Sequence, residues 1–179
     1  MGPARTDLRW LLALGANLLL LWLAGLANHY LAPFSVHLYP AGLLVVFPAL
    51  ALDQRHGFTA IGLTGLAFDA MSPTPFGTHL VLLGLVHAAL RYGRNRFPRD
   101  EPIFATVVAL LANLFLFLAL SFLLIGAHPR PAEGWMRLFA DLLFSQLAVG
   151  LVTPWFMALN RRLLHLARLD PETGRRVEL

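Results

Sequence analysis

Cysteine and lysine are both missing from the 179-residue chain. Without cysteine there is no disulfide framework, no thiolate metal ligand and no thiol nucleophile, so covalent and redox chemistry through sulfur are excluded and the redox compartment is left open. Charge is scarce too: 13% of residues are charged against 58% hydrophobic, and the mean hydropathy of +0.65 is wrong for a soluble core. Lipid must cover much of that apolar surface. With no lysine, all fourteen basic residues are arginines, and they cluster beside apolar runs rather than along one solvated face. The net charge of +4 therefore reads as membrane topology, and nucleic acid is not an expected partner. Also missing are a phosphate-cradling glycine loop with its lysine, a nucleophile elbow and a zinc-protease pattern. No enzyme, cofactor or metal is expected.

A hydrocarbon core about 30 Å thick needs roughly 20 apolar residues at 1.5 Å rise each. Four runs predict helices over 10–28, 36–52, 103–126 and 138–160. Arg5 and Arg9 precede the first run as they would in a signal peptide, but its length predicts an uncleaved helix. The stretch between the second and third runs is too long for one crossing and is interrupted by Ser72-Pro73-Thr74-Pro75-Phe76-Gly77. Proline removes helical donors and disfavours helical geometry in the residue before it, so two shorter helices are expected, 57–71 and 78–91. Each is roughly 20 Å long, short of the full hydrocarbon thickness. The turn joining them should sit below the membrane surface, sheltered by neighbours or lining a wet cavity. The expected fold class is an all-α membrane protein, a single integral domain with six transmembrane helices and a tail over 161–179.

Arginine placement orients the chain. With the N-terminus cytoplasmic, Arg5, Arg9, Arg55, Arg91, Arg94, Arg96, Arg99, Arg161, Arg162, Arg168, Arg175 and Arg176 lie inside, and only Arg130 and Arg137 outside. Both termini are thus expected in the cytoplasm. Tyr30, Tyr39, Tyr92 and Trp135 fall near predicted interfaces as anchors, whereas Trp22 and Trp155 are deeper and are expected to pack inside.

Phe58, Gly62, Gly65 and Asp69 fall on one face of the third helix. The glycines let another backbone approach and deliver Asp69 to the interior near the turn. An ionisable group at membrane depth is a functional candidate. Capping of turn amides by Asp69 is favoured over proton or ion handling, as aspartate does in Asx-type turns. Asp141, four residues after Arg137, reads as half of a helical ion pair. Asn113 and Gln146 read as interhelical glue. His79 and His87 share a face of the fourth helix without a carboxylate at a ligating offset, a weak metal signal. Pro154 must leave the Gly150 carbonyl without its helical donor.

The run Gly65-x-x-x-Asp69-x-x-Ser72-x-x-x-x-Gly77 is followed by an apolar helix, the basic cluster Arg91 to Arg99 and another long apolar helix, and Pro154-Trp155-Phe156 precedes Arg161-Arg162. This pattern resembles the rod shape-determining protein MreD family over nearly the whole chain, its specific part being about a dozen positions. The resemblance implies a non-enzymatic component of the bacterial cell-elongation machinery. It would sit in the inner membrane among lipids, with MreC as direct partner and MreB, RodA and its transpeptidase partner in the wider complex. Gly65, Asp69, Ser72 and Gly77 of that pattern, with Gly62, Asn113 and Asp141 from their helix positions, are the candidate partner-binding or structural positions. The family is similar in fold to substrate-binding subunits of energy-coupling-factor vitamin transporters, the alternative reading. Those subunits dock a coupling partner through Ala-x-x-x-Ala in the first helix, whereas here Ala13 is followed by Asn17 and Ala24 by Asn28. An ion-coupled transporter or flippase would rest on Asp69 alone.

Overall fold

The computed structural model describes residues 8–93, 102–125 and 131–167, and all regular structure among them is helical. Helix α1 spans Arg9–Leu31 and ends in a 3-10 turn, Ala32–Phe34; α2 spans Ala41–Ala51, α3 Gln54–Met71, α4 Thr78–Gly93, α5 Pro102–Ile125 and α6 Pro131–Leu166. Three segments are long and apolar enough to cross a bilayer: Arg9–Phe34, Ile103–Leu124 and Arg137–Leu166. The chain is therefore a helical protein with the character of a membrane protein.

Four helices differ from expectation by three or more residues at an end: α1 runs on to Leu31 rather than 28, α3 starts at Gln54 rather than 57, and α2 and α6 differ further. The segment expected to be helical from residue 36 runs without regular structure over 36–40, and α2 starts only after Pro40. Side chains from distant helices take up the amides that an earlier helix start would have used, as described below. Conversely α6 opens at Pro131 rather than 138, since the first helical position needs no donor, and runs on past Arg161 and Arg162 to Leu166. Pro154 does not end it. The last residue of the expected 103–126 helix lies outside the described residues, as do Arg5, Arg94, Arg96, Arg99, Arg130, Arg168, Arg175 and Arg176.

The shortest helix is the centre. Helix α2 has 11 residues, about 16 Å, and touches each of the five other helices. Every residue from Ala41 to Leu50 is buried, as expected of a helix that is apolar on all sides. In lipid such burial gains nothing from expelling water, so close packing has to hold the bundle. Three glycines make the crossings. A Cβ on Gly42 would run into the Ala109 carbonyl and lie 2.6 Å from Asn113 N on α5. On Gly57 it would lie 2.8 Å from Pro48 O, and on Gly65 2.6 Å from Leu80 Cα on α4.

Large apolar side chains on the opposite faces of α1, α5 and α6, such as Leu19, Leu111, Phe115, Leu147 and Leu151, point outward. Trp22 and Trp155, expected to pack inside, belong to this outer belt at 59% and 79% exposure, because their helix faces turn away from α2. Tyr39, expected at an interface, is instead only 4% exposed, its ring against Phe68, His79 and Phe117.

Candidate functional site

Buried polar groups gather at three places, each where helical backbone leaves a donor or an acceptor unpaired. The first is the turn between α3 and α4. Gly77 adopts φ +95°, a left-handed conformation that costs a Cβ-bearing residue about 1–2 kcal/mol, and this swings the start of α4 back over the end of α3. The opening N–H groups of α4 then point at Asp69. Its Oδ2 accepts Gly77 N at 3.0 Å and Leu80 N at 3.2 Å, and its Oδ1 accepts His79 N at 2.8 Å. His79 Nδ1 lies 2.9 Å from the same Oδ1. An ionised carboxylate only accepts, so Nδ1 carries the imidazole proton and donates it. Four donors on two oxygens fill the acceptor capacity of the group, and the positive end of the α4 dipole adds to its stabilisation.

The surrounding residues hold this cap in place. Gly65 brings α3 against the α4 backbone, and the His79 ring stacks on Phe68 at 4.0 Å between centroids. Ser72 caps the end of α3, its N–H reaching Asp69 O at 3.3 Å, and its hydroxyl accepts from Thr74 Oγ1 at 3.1 Å. Gly62, on the same predicted face, makes no close approach: a Cβ there would meet only Leu80 Cδ1 at 3.9 Å. Phe58 turns outward. Pro73, Pro75 and Phe76 at the tip are exposed rather than sheltered by neighbouring helices. Beside the cap, the buried Tyr39 Oη and His79 Nε2 have no hydrogen-bond partner among the described residues.

The second place is the lead-in to α2, whose backbone bonds to side chains of three other helices. His37 N donates to Asp141 Oδ1 at 2.7 Å and Tyr39 N to Ser145 Oγ at 3.0 Å, both on α6. Leu38 N donates to Asn28 Oδ1 at 2.7 Å, while Asn28 Nδ2 donates back to Leu38 O at 3.0 Å, so the α1 amide mimics a strand partner. Gly42 N, in the first turn of α2, donates to Asn113 Oδ1 on α5 at 3.0 Å. Asp141 is thus engaged with backbone in place of the expected pair with Arg137, which is exposed. Asn113 is interhelical, but its specific task is to cap α2. Gln146 Nε2 donates to Leu110 O at 3.2 Å, joining α6 to α5.

A third repair lies inside α2. Pro48 has no N–H to give Leu44 O, and Asn17 Nδ2 of α1 supplies it at 3.1 Å. Asn17 Nδ2 also reaches Thr64 Oγ1 at 3.0 Å, and that hydroxyl donates to Ala60 O at 2.7 Å, linking α1, α2 and α3. The sequence reading did not assign this role to Asn17, nor any to Asn28, Gly42 and Ser145. Only Pro48 signals a need, an orphaned carbonyl at Leu44, without saying what fills it. His79 and His87 are both buried on α4, but they serve different surroundings: His79 faces Asp69, and His87 faces Gly57 and Phe58. Among the described residues no group of three or more His, Asp or Glu stands where it would hold a metal ion.

Compared with protein-family models, with curated proteins and with solved structures, the chain finds no match.

Proposed function

We propose that this chain is a six-span protein of a bacterial inner membrane, with both termini cytoplasmic, that serves without catalysis as a scaffold in the cell-elongation complex and holds MreC there. One observation carries the reading: six polar side chains placed among the helices hold backbone of other segments. Asp69 caps α4, Asn113, Ser145, Asp141 and Asn28 hold the lead-in to α2, and Asn17 mends the gap at Pro48. Each such bond must break before the backbone it holds can rearrange as a transporter's does, which suits a part that presents a fixed surface. In this reading α2 and the α3–α4 hairpin complete the crossings, with the irregular 36–40 segment lengthening the second span.

The vitamin-transporter reading needs an outward stripe on α1 for a coupling subunit. Ala13 and Asn17 instead face the bundle, 2% and 1% exposed, and Asn17 is bonded to α2 and α3. The deciding experiment is affinity purification of the tagged chain from detergent-solubilised membranes. MreC recovered in stoichiometric amount, together with rounded cells on depletion, is the expected result. Recovery of an ATPase with a transport subunit, or tight binding of thiamine, riboflavin or biotin, would replace the scaffold reading.

A further inference from the structure

Between α1 and α6 runs an apolar groove of about 210 Å³. Leu20, Ala24 and Ala27 form one wall, Ala148 and Val152 the other, and Leu43 lies in its floor. The surface of the groove is almost wholly apolar, and the hydroxyl of Ser145, which also lines it, is bonded to Tyr39 N, so it suits hydrocarbon better than water or a polar ligand. Leu23 and Val152 at its rim are exposed, so it opens sideways, towards lipid if the bundle is embedded. Leu20 to Ala27 is seven residues, so the groove runs roughly 10 Å along the helix. A slot of this size, apolar and open at its side, takes a single hydrocarbon chain lengthwise, whereas a helix ~10 Å across cannot enter it and could only lie over its rim.

A charge marks the other end of that occupant. Arg137 lies on α6 two turns beyond Ser145, exposed, in the corner that also holds His37. Asp141 in the same corner is buried and turned onto His37 N, which leaves the guanidinium as the outward charge. From Val152 to Arg137 is fifteen residues, roughly 22 Å, which matches half of a bilayer about 40–45 Å thick with its headgroups. With Arg137 at headgroup depth, the groove ends at the midplane. We propose that the α1–α6 groove is a binding site for one acyl chain of an anionic phospholipid whose phosphate is held by Arg137.

This inference rests on the membrane-spanning reading, and the test separates the two. The full chain is reconstituted in phosphatidylcholine vesicles with a trace of phosphatidylglycerol carrying a diazirine in one acyl chain, irradiated, and mapped by mass spectrometry. Label is expected to concentrate on residues 20–27 and 145–152, and Ala148→Phe should reduce it there to the level of the exposed α5 face around Leu111. Arg137→Gln should lower groove labelling about fivefold, the worth of one arginine near anionic lipid, with no change when the probe is a diacylglycerol lacking phosphate. Even labelling of all exposed helix faces, or Ala148→Phe labelled like wild type, would overturn the groove site and leave the membrane reading standing. Equal labelling of Arg137→Gln and wild type would overturn the phosphate assignment. No labelling anywhere would overturn the membrane reading and the site with it.

Discussion

Asp69 takes four N–H donors on two oxygens, and this count decides what the residue can do. A carboxylate so filled has no lone pair left for an ion or an incoming proton unless the α3–α4 turn opens. In Asp69→Asn one oxygen still accepts while the NH₂ group confronts two donors; in Asp69→Leu all four are stranded. At about 1–3 kcal/mol for each buried donor left unpaired, the expected order of thermal stability in detergent is wild type, then Asn, then Leu. An ion-handling carboxylate gives a different signature, Asp69→Asn as stable as wild type yet without function. Asn17 offers a cleaner test, because its Leu44 bond is needed only while Pro48 lacks an N–H. Asn17→Ala should cost about 1–3 kcal/mol in the native background and measurably less in Pro48→Ala, where the helix supplies its own donor. A double-mutant cycle with no coupling would mean that the amide does not repair the helix.

At the scale of elements, the crossings depend on glycine where helix backbones meet. Gly42→Ala would push a methyl group into the Ala109 carbonyl on α5 and displace the Asn113 cap, so α2 and α5 must move apart. Overpacking of this kind costs about 1–3 kcal/mol, and the lost cap adds to it. Gly15 on α1 has no neighbour within 4 Å of its Cβ position, so Gly15→Ala should leave the unfolding temperature unchanged or raise it. Equal melting of the two alanine variants would contradict the close α2–α5 crossing.

At the scale of the whole molecule, the proposed topology of six crossings with both ends inside fixes which loops face out. Because no native cysteine competes, single cysteines report topology directly. In sealed spheroplasts an impermeant thiol reagent should label Ala132→Cys and Thr74→Cys but not Phe97→Cys, as the arginine distribution requires. Labelling of Phe97→Cys in intact spheroplasts would reverse the orientation.

Length, hydropathy and proline placement are local properties, and they were enough to separate the chain into its helices and to set the turn at 72–77. They also made Asp69 conspicuous, as a charged residue in an apolar helix three residues before a proline- and glycine-bearing turn. The lead-in to α2 was not legible in this way. Pro40 disfavours helix at Tyr39, but what holds residues 36–40 where they lie is the set of acceptors waiting on other helices: Asp141, 104 residues from His37, and Ser145, 106 from Tyr39. A buried donor must be satisfied, but which side chain satisfies it depends on what stands opposite once the helices have packed. For the same reason Trp22 and Trp155 resembled core residues by depth and proved to face outward, since composition sets how far a residue lies along a helix and only the neighbours set which side is inside.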